Sequence, residues 1–241
     1  VIWTVNLLGL DYANLDVARA AEVIAARPPG ARFRYVVTPN ADHMVRLARV
    51  PALRALYADA WLRLLDSRVV ARAARLLGLR APVVCPGSDL TARLVAGLRP
   101  GDSVTVIGAS RETVARLGLA RAAQHIPPHG FERDPAALDA AVAFVLRHPS
   151  RYVFLAVGSP RQEILADAIA RTGRAVGTGL CIGAGLAFAS GELRRAPEWM
   201  RARGLEWLHR LLADPRRLAR RYLLDNPPIL ALLLRERIGR S

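Results

Sequence analysis

The chain contains no lysine, so all 35 of its basic side chains are arginine. That absence excludes a Walker A phosphate loop, a Schiff-base enzyme and Tyr-x-x-x-Lys dehydrogenase chemistry, each of which needs a lysine amine. Cysteine is almost as scarce. Cys85 and Cys181 stand alone, form no Cys-x-x-Cys pair and cannot staple a domain of 241 residues. They read as small packed residues in a reducing compartment. No apolar run approaches the ~20 residues of a membrane span; Ile229–Leu234 and Val153–Val157 are far shorter. No charged-then-apolar leader is visible after Val1. Metal-ligand spacings are missing too. The five histidines form no His-x-x-x-His pair on one helix, since Pro127-Pro128 separates His125 from His129, and there is no Asp-x-Asp. No metal site and no cofactor are expected. Aromatics make up only 6% of the chain and no RNA or DNA motif occurs, so the net charge of +15 does not predict a nucleic-acid partner.

What is present is a recurring unit. Short β-rich runs at Val1–Leu8, Phe33–Val37, Leu62–Leu65, Ser103–Ile107, Tyr152–Val157 and Ala175–Gly177 alternate with Ala/Leu/Arg helices such as Leu90–Leu98, Val114–Ala123 and Ala136–Leu146. That alternation predicts an α/β fold around a parallel sheet. Near Arg194 the pattern changes to helix alone, over Pro197–Leu212, Pro215–Leu224 and Ile229–Ile238. The expected division is a core over 1–191 and an arginine-rich helical appendage over 192–241. Residues 194–221 hold nine arginines against three acids, six of the fifteen net charges. Such a surface is either a solvated helix face or a seat for diphosphate, anionic lipid or nucleic acid. The apolar Ile229–Leu234 stretch either meets an anionic interface or packs on the core or a subunit partner.

Ligands of open parallel sheets bind beyond the carboxyl ends of the strands. The residues there are Thr38-Pro39-Asn40, Asp66-Ser67, Gly108-Ala109-Ser110, Gly158-Ser159-Pro160-Arg161-Gln162-Glu163 and Thr178-Gly179. The glycines from Gly179 to Gly185 imitate a dinucleotide loop, but they lie too late in the chain for one. Asp66 is the best candidate for chemistry. A carboxylate directly after an apolar strand is partly desolvated and can act as a general base; it can equally cap the helix that follows. Gln162 and Glu163 are the first-turn residues of another helix.

These strings stand in one order together with Gly87-Ser88-Asp89-Leu90, Arg195-Ala196-Pro197-Glu198-Trp199-Met200, Gly204-Leu205-Glu206-Trp207-Leu208-His209-Arg210, Asp214-Pro215-Arg216-Arg217 and Arg220-Arg221-Tyr222. The whole resembles the WecG/TagA/CpsF family, glycosyltransferase family 26. The resemblance implies a Rossmann-like core with a helical appendage that closes the site and touches the membrane. It implies an inverting, metal-independent enzyme that moves a sugar, N-acetylmannosamine-type or another hexose, from a UDP-sugar to a polyprenyl-diphosphate-linked sugar. Such an enzyme works at the cytoplasmic face of the bacterial membrane, in cell-surface polysaccharide synthesis. By matching position, Asp66 is the implied general base. Thr38, Asn40 and Gln162 match pocket residues, and Gly108 and Gly158 lie at the same rim. Phe131 stands where members carry a tyrosine able to stack on a base. Arg210, Arg217 and Arg220 match arginines expected at the diphosphate. Two departures stand out: Val84 where members usually carry arginine, and Ala187 where they carry an aspartate associated with the nucleotide. They motivate the alternative of a non-catalytic lipid-binding homologue. A homo-oligomer remains open.

Overall fold

The computed structural model describes residues 2–239, without the side chains of Arg217 and Arg221. It opens with a β-hairpin. Strands β1 (Thr4–Leu7) and β2 (Leu10–Ala13) pair antiparallel, outside the main sheet. The expected single strand over Val1–Leu8 is thus one arm of a hairpin. Its turn places Leu8 at φ 53° and Gly9 at φ 74°, the two successive left-handed residues that match strand twist in a two-residue turn.

The main sheet has six strands, all paired parallel: β3 (Arg34–Val37), β4 (Leu62–Arg63), β5 (Val104–Gly108), β6 (Ala123–His125), β7 (Tyr152–Ala156) and β8 (Thr178–Cys181). Their order is β4-β3-β8-β7-β5-β6. Alternate side chains feed two cores. Tyr35, Val37, Ile107, Val153, Leu155 and Cys181 face one; Val36, Val106, Phe154 and Leu180 face the other. Helices 41–49, 68–76, 135–147 and 161–171 cover the first face, and helices 17–25, 87–96, 111–116 and 185–189 the second. Burial on both faces explains why the central strands read as unbroken apolar runs.

Within the sheet region β4 is shorter than the expected Leu62–Leu65, and two further elements differ from expectation. β8 begins after Gly177, not at Ala175. Gly177 has φ +90°, and a Cβ there would lie 1.9 Å from the Ser150 carbonyl, so the chain bends at this point before it pairs. Thr178 and Gly179 are therefore buried inside the strand and not at its rim. The helix expected over Val114–Ala123 ends at Arg116, with Gly118 left-handed just beyond; the chain then returns as edge strand β6.

At two places the chain leaves neighbouring strands toward opposite faces. Helix 41–49 follows β3 on the first face, while helix 185–189 follows adjacent β8 on the second. The same divergence separates β7 from β5, which lead into helices 161–171 and 111–116. Crevices at the carboxyl edge follow from that divergence.

After residue 191 the described elements are helical: 198–202, 206–213, 215–220, a π turn over 221–225, and 228–239. The single helix expected over Pro197–Leu212 breaks at Gly204, which is left-handed and where a Cβ would stand 3.4 Å from that of Arg68. The last helix returns to the first core through Ile229 and Leu233. Its Glu236 accepts a 2.7 Å hydrogen bond from the Leu8 amide at the hairpin turn. Among the described residues no helix is long and apolar enough to cross a membrane.

Candidate active site

Asp66 follows the fully buried pair Leu64-Leu65 at the end of the β4 segment. Its amide donates to the Pro39 carbonyl at 2.9 Å, which ties it to the loop after β3. The next helix is capped by Ser67, whose hydroxyl accepts from the Val70 amide. Capping therefore does not occupy the Asp66 carboxylate. That group accepts instead from the backbone N–H of Gly87, at the start of helix 87–96. A Cβ on Gly87 would stand 2.8 Å from Thr38 Oγ1 and 3.4 Å from Asp66 Oδ2. Only glycine lets the helix end approach both side chains.

Burial pushes the Asp66 carboxyl up to about 7; Arg210 pulls it down and Glu206 and Asp89 push it up by smaller amounts. The group opens onto a cavity of about 400 Å³ between the rim of the sheet and the C-terminal helices. Asn40, Val84 and Pro86 belong to the core side, with Arg201, Glu206, Trp207, Arg210, Tyr222 and Ile229 opposite. Arg210 donates to Glu206 at 2.7 Å, and its guanidinium lies 4.4 Å over the Phe188 ring. Its Nε is buried without a hydrogen-bond partner among the described residues. The Trp207 and Tyr222 rings are 5.9 Å apart. The cavity is thus mainly apolar, with Arg68, Arg201 and Arg210 set against the carboxyls of Asp66 and Glu206 in its lining.

A second cavity, about 230 Å³, lies beyond β5, β6 and β7. Gly108, His129, Phe131, Val157 and Arg161 line it. Gly108 is left-handed, and a Cβ on it would meet the Ala156 carbonyl at 2.9 Å. Gly158, also left-handed, keeps Arg161 close: a Cβ there would be 3.3 Å from Nη2.

The expected site residues divide accordingly. Asp66, Asn40 and Arg210 share the first cavity, and Thr38 adjoins Asp66 beneath Gly87. Gly108 and Phe131 share the second. Asn40 is also the N-cap of helix 41–49 and bonds the Asp42 amide. Gln162 is buried; it donates to Glu163 and accepts from the Gly183 amide, fixing the loop after β8. Burial raises the Glu163 carboxyl above its ordinary range, with His43 Nε2 at 3.9 Å. Arg220 is 83% exposed and meets Asp225 at 3.9 Å, outside both cavities. The Arg217 side chain lies outside the described residues. Cys85 and Cys181 are buried free thiols. Among the described residues no group of His, Cys, Asp or Glu could hold a metal ion.

Sequence reasoning missed Arg68, Arg201, Glu206, Trp207 and Tyr222, all lining the first cavity. A usable signal existed for one of them: Glu206 stands at the i,i+4 spacing of a helical ion pair from the expected Arg210. A family model described as Glycosyl transferase WecG/TagA/CpsF family matches residues 5–241. With a match over nearly its entire length, the chain belongs to the WecG/TagA/CpsF family of glycosyltransferases, which is linked to cell-surface polysaccharide synthesis.

Proposed function

We propose that the protein is an inverting, metal-independent glycosyltransferase that moves a sugar from a UDP-sugar to a polyprenyl-diphosphate-linked sugar. One observation carries the reading. A single desolvated carboxyl, Asp66, opens onto a cavity whose remaining charge comes mainly from arginines. The acceptor hydroxyl attacks the anomeric carbon, and the bond from that carbon to the UDP oxygen breaks. The hydroxyl proton passes to Asp66. A carboxyl near pH 7 is half ionised under ordinary conditions, so it can accept a proton and release it again. One displacement without a covalent intermediate inverts the sugar. The departing diphosphate gains charge, which preorganised guanidinium groups stabilise. Arg210 is in place for that role beside Asp66. The second cavity, with Arg161 and the Phe131 ring, suits the nucleotide. Helices on both faces of the parallel sheet support a Rossmann-like description of the core.

The C-terminal helices support peripheral placement on the cytoplasmic face of the membrane. Leu223, Leu224, Leu230, Leu234 and Ile238 are exposed amid arginines. Each basic residue near an anionic surface is worth about 1 kcal/mol. The deciding experiment offers a panel of UDP-sugars, N-acetylmannosamine-type first, to the protein with a short-chain polyprenyl-diphosphate-GlcNAc acceptor. UDP release with an inverted product, unchanged by a chelator, is expected. Absence of transfer across the panel would overturn the reading.

A further inference from the structure

Helix 68–76 begins with two arginines one turn apart, Arg68 and Arg72, on the same face. They are used differently. Arg72 donates to the carbonyls of Ala202, at 3.0 Å, and Arg203. Those oxygens end helix 198–202, so Arg72 caps a neighbouring helix and holds the Gly204 bend against its own. Arg68 makes no hydrogen bond or ion pair among the described residues. It is half-buried and lines the same cavity as Asp66. The first position of a helix also sets a cation against the positive end of the macrodipole. Helix stability therefore does not account for an arginine there.

The other arginines of the cavity are committed. Arg210 is held by Glu206, and Arg201 lies 3.6 Å from Asp89, which also takes Arg195 at 2.5 Å. Arg68 is thus the uncommitted cation of this cavity among the described residues. Apolar side chains share the cavity with it: Val69, Val84, Ile229 and Leu230 line the same space, beside Asp66 and Glu206. Leu230 is half exposed on the helix that also carries exposed Leu234 and Ile238. An anion tied to an apolar chain fits such a place. In the transferase reading the diphosphate of the nucleotide already has guanidinium partners, Arg210 beside Asp66 and Arg161 of the second cavity, which lies beyond β7, three strand positions away from the β4 edge. At the spacing of neighbouring strands that is roughly 14 Å along the sheet rim.

We infer that Arg68 binds the diphosphate of a prenyl-linked ligand and not the diphosphate of the nucleotide. The naming of that ligand as the acceptor rests on the transferase reading; the anion chemistry does not. Calorimetry on the full chain tests it with three probes: farnesyl diphosphate, inorganic pyrophosphate and UDP. Arg68→Gln should weaken farnesyl diphosphate about ten-fold, the scale of one lost charge-assisted contact. UDP affinity should stay within about two-fold and the melting temperature should not move. Arg68→Lys should retain part of the affinity, because the charge survives and the fork does not. Unaltered farnesyl diphosphate binding in Arg68→Gln, or a loss falling on UDP, would overturn the inference. Pyrophosphate binding as tightly as farnesyl diphosphate would overturn the lipid-linked part. If sugar transfer fails across the panel while farnesyl diphosphate binding still depends on Arg68, the transferase reading falls and the diphosphate assignment stands.

Discussion

The two sides of the main cavity are built on opposite principles. The core side is a parallel sheet buried on both faces, where Asp66, Thr38 and Gly87 are fixed by backbone bonds and by a contact that tolerates no Cβ. The C-terminal side is a chain of helices that packs into the core at its last one, through Ile229 and Leu233, and elsewhere meets it largely through arginine side chains. Arg195 and Arg201 reach Asp89, and Arg72 reaches the carbonyls of Ala202 and Arg203. One side holds geometry through packing; the other supplies charge through long, polar contacts. The difference suits the proposed transferase, which would hold a base rigidly and admit a bulky lipid-linked substrate, since elements with few buried apolar contacts open at the least cost.

The sharpest way to break this division is Asp66→Asn. If Asp66 is the base, turnover should fall by about 10² to 10⁴, measured as UDP release, while UDP affinity is retained. In the parent protein the rate should rise with pH through about 7, as the carboxyl ionises. Stability should move the other way. The folded carboxyl titrates above its ordinary value of 3.8, so the native state holds a proton that the unfolded chain has released. Native stability then declines as pH rises from about 4 to about 7. Asp66→Asn should therefore melt higher than the parent at pH 8 and at nearly the same temperature at pH 4. Loss of stability at pH 8 would make Asp66 a structural residue.

Next in size is a cut into the packed side. Leu155 is fully buried at the centre of the sheet, and Leu155→Ala should cost about 2–5 kcal/mol in a denaturant titration. The corresponding change on the charged side is Glu206→Gln. It removes the partner of Arg210 and a negative charge that raises the Asp66 carboxyl. The expected result is a shift of the rate–pH profile to lower pH, with a change in melting temperature of no more than a few degrees. A profile that stays put would disconnect Glu206 from the base.

The same contrast explains what was legible in the sequence. Strands buried on both faces announce themselves as apolar runs, and Asp66 was found because it interrupts one at its end. Its role against that of Ser67 was not legible, since either residue can cap a helix; the Val70 amide settles it for Ser67. β6 was missed because Ala123-Gln124-His125 has no strand character of its own and is held by its bonds to β5. β8 was placed three residues early because its start is set by the clash that Gly177 avoids with Ser150, a contact remote in sequence. Arg68 and Arg201 were hidden for a further reason. In a chain with 35 arginines, one side chain that faces a cavity has no local signature distinguishing it from those that face water.

The smallest expected effect on stability tests the outer surface of the C-terminal helices. In helix 228–239, Ile229 and Leu233 are buried in the first core, while Leu230 and Leu234 are about half exposed, at 50% and 47%. One helix thus packs on the core with one pair and leaves the other pair facing out. Replacing the outer pair, Leu230→Ser with Leu234→Ser, should change unfolding free energy by about 1 kcal/mol or less, since exposed positions average within ±0.5 kcal/mol each. Sedimentation with anionic vesicles should nevertheless drop clearly, because each fully buried leucine contributes about 1.5–3 kcal/mol to transfer out of water. The inner pair, changed in the same way, should unfold the helix from the core before any membrane effect can be read. If the outer pair leaves vesicle binding intact, the arginines alone hold the surface, and binding should then disappear in high salt.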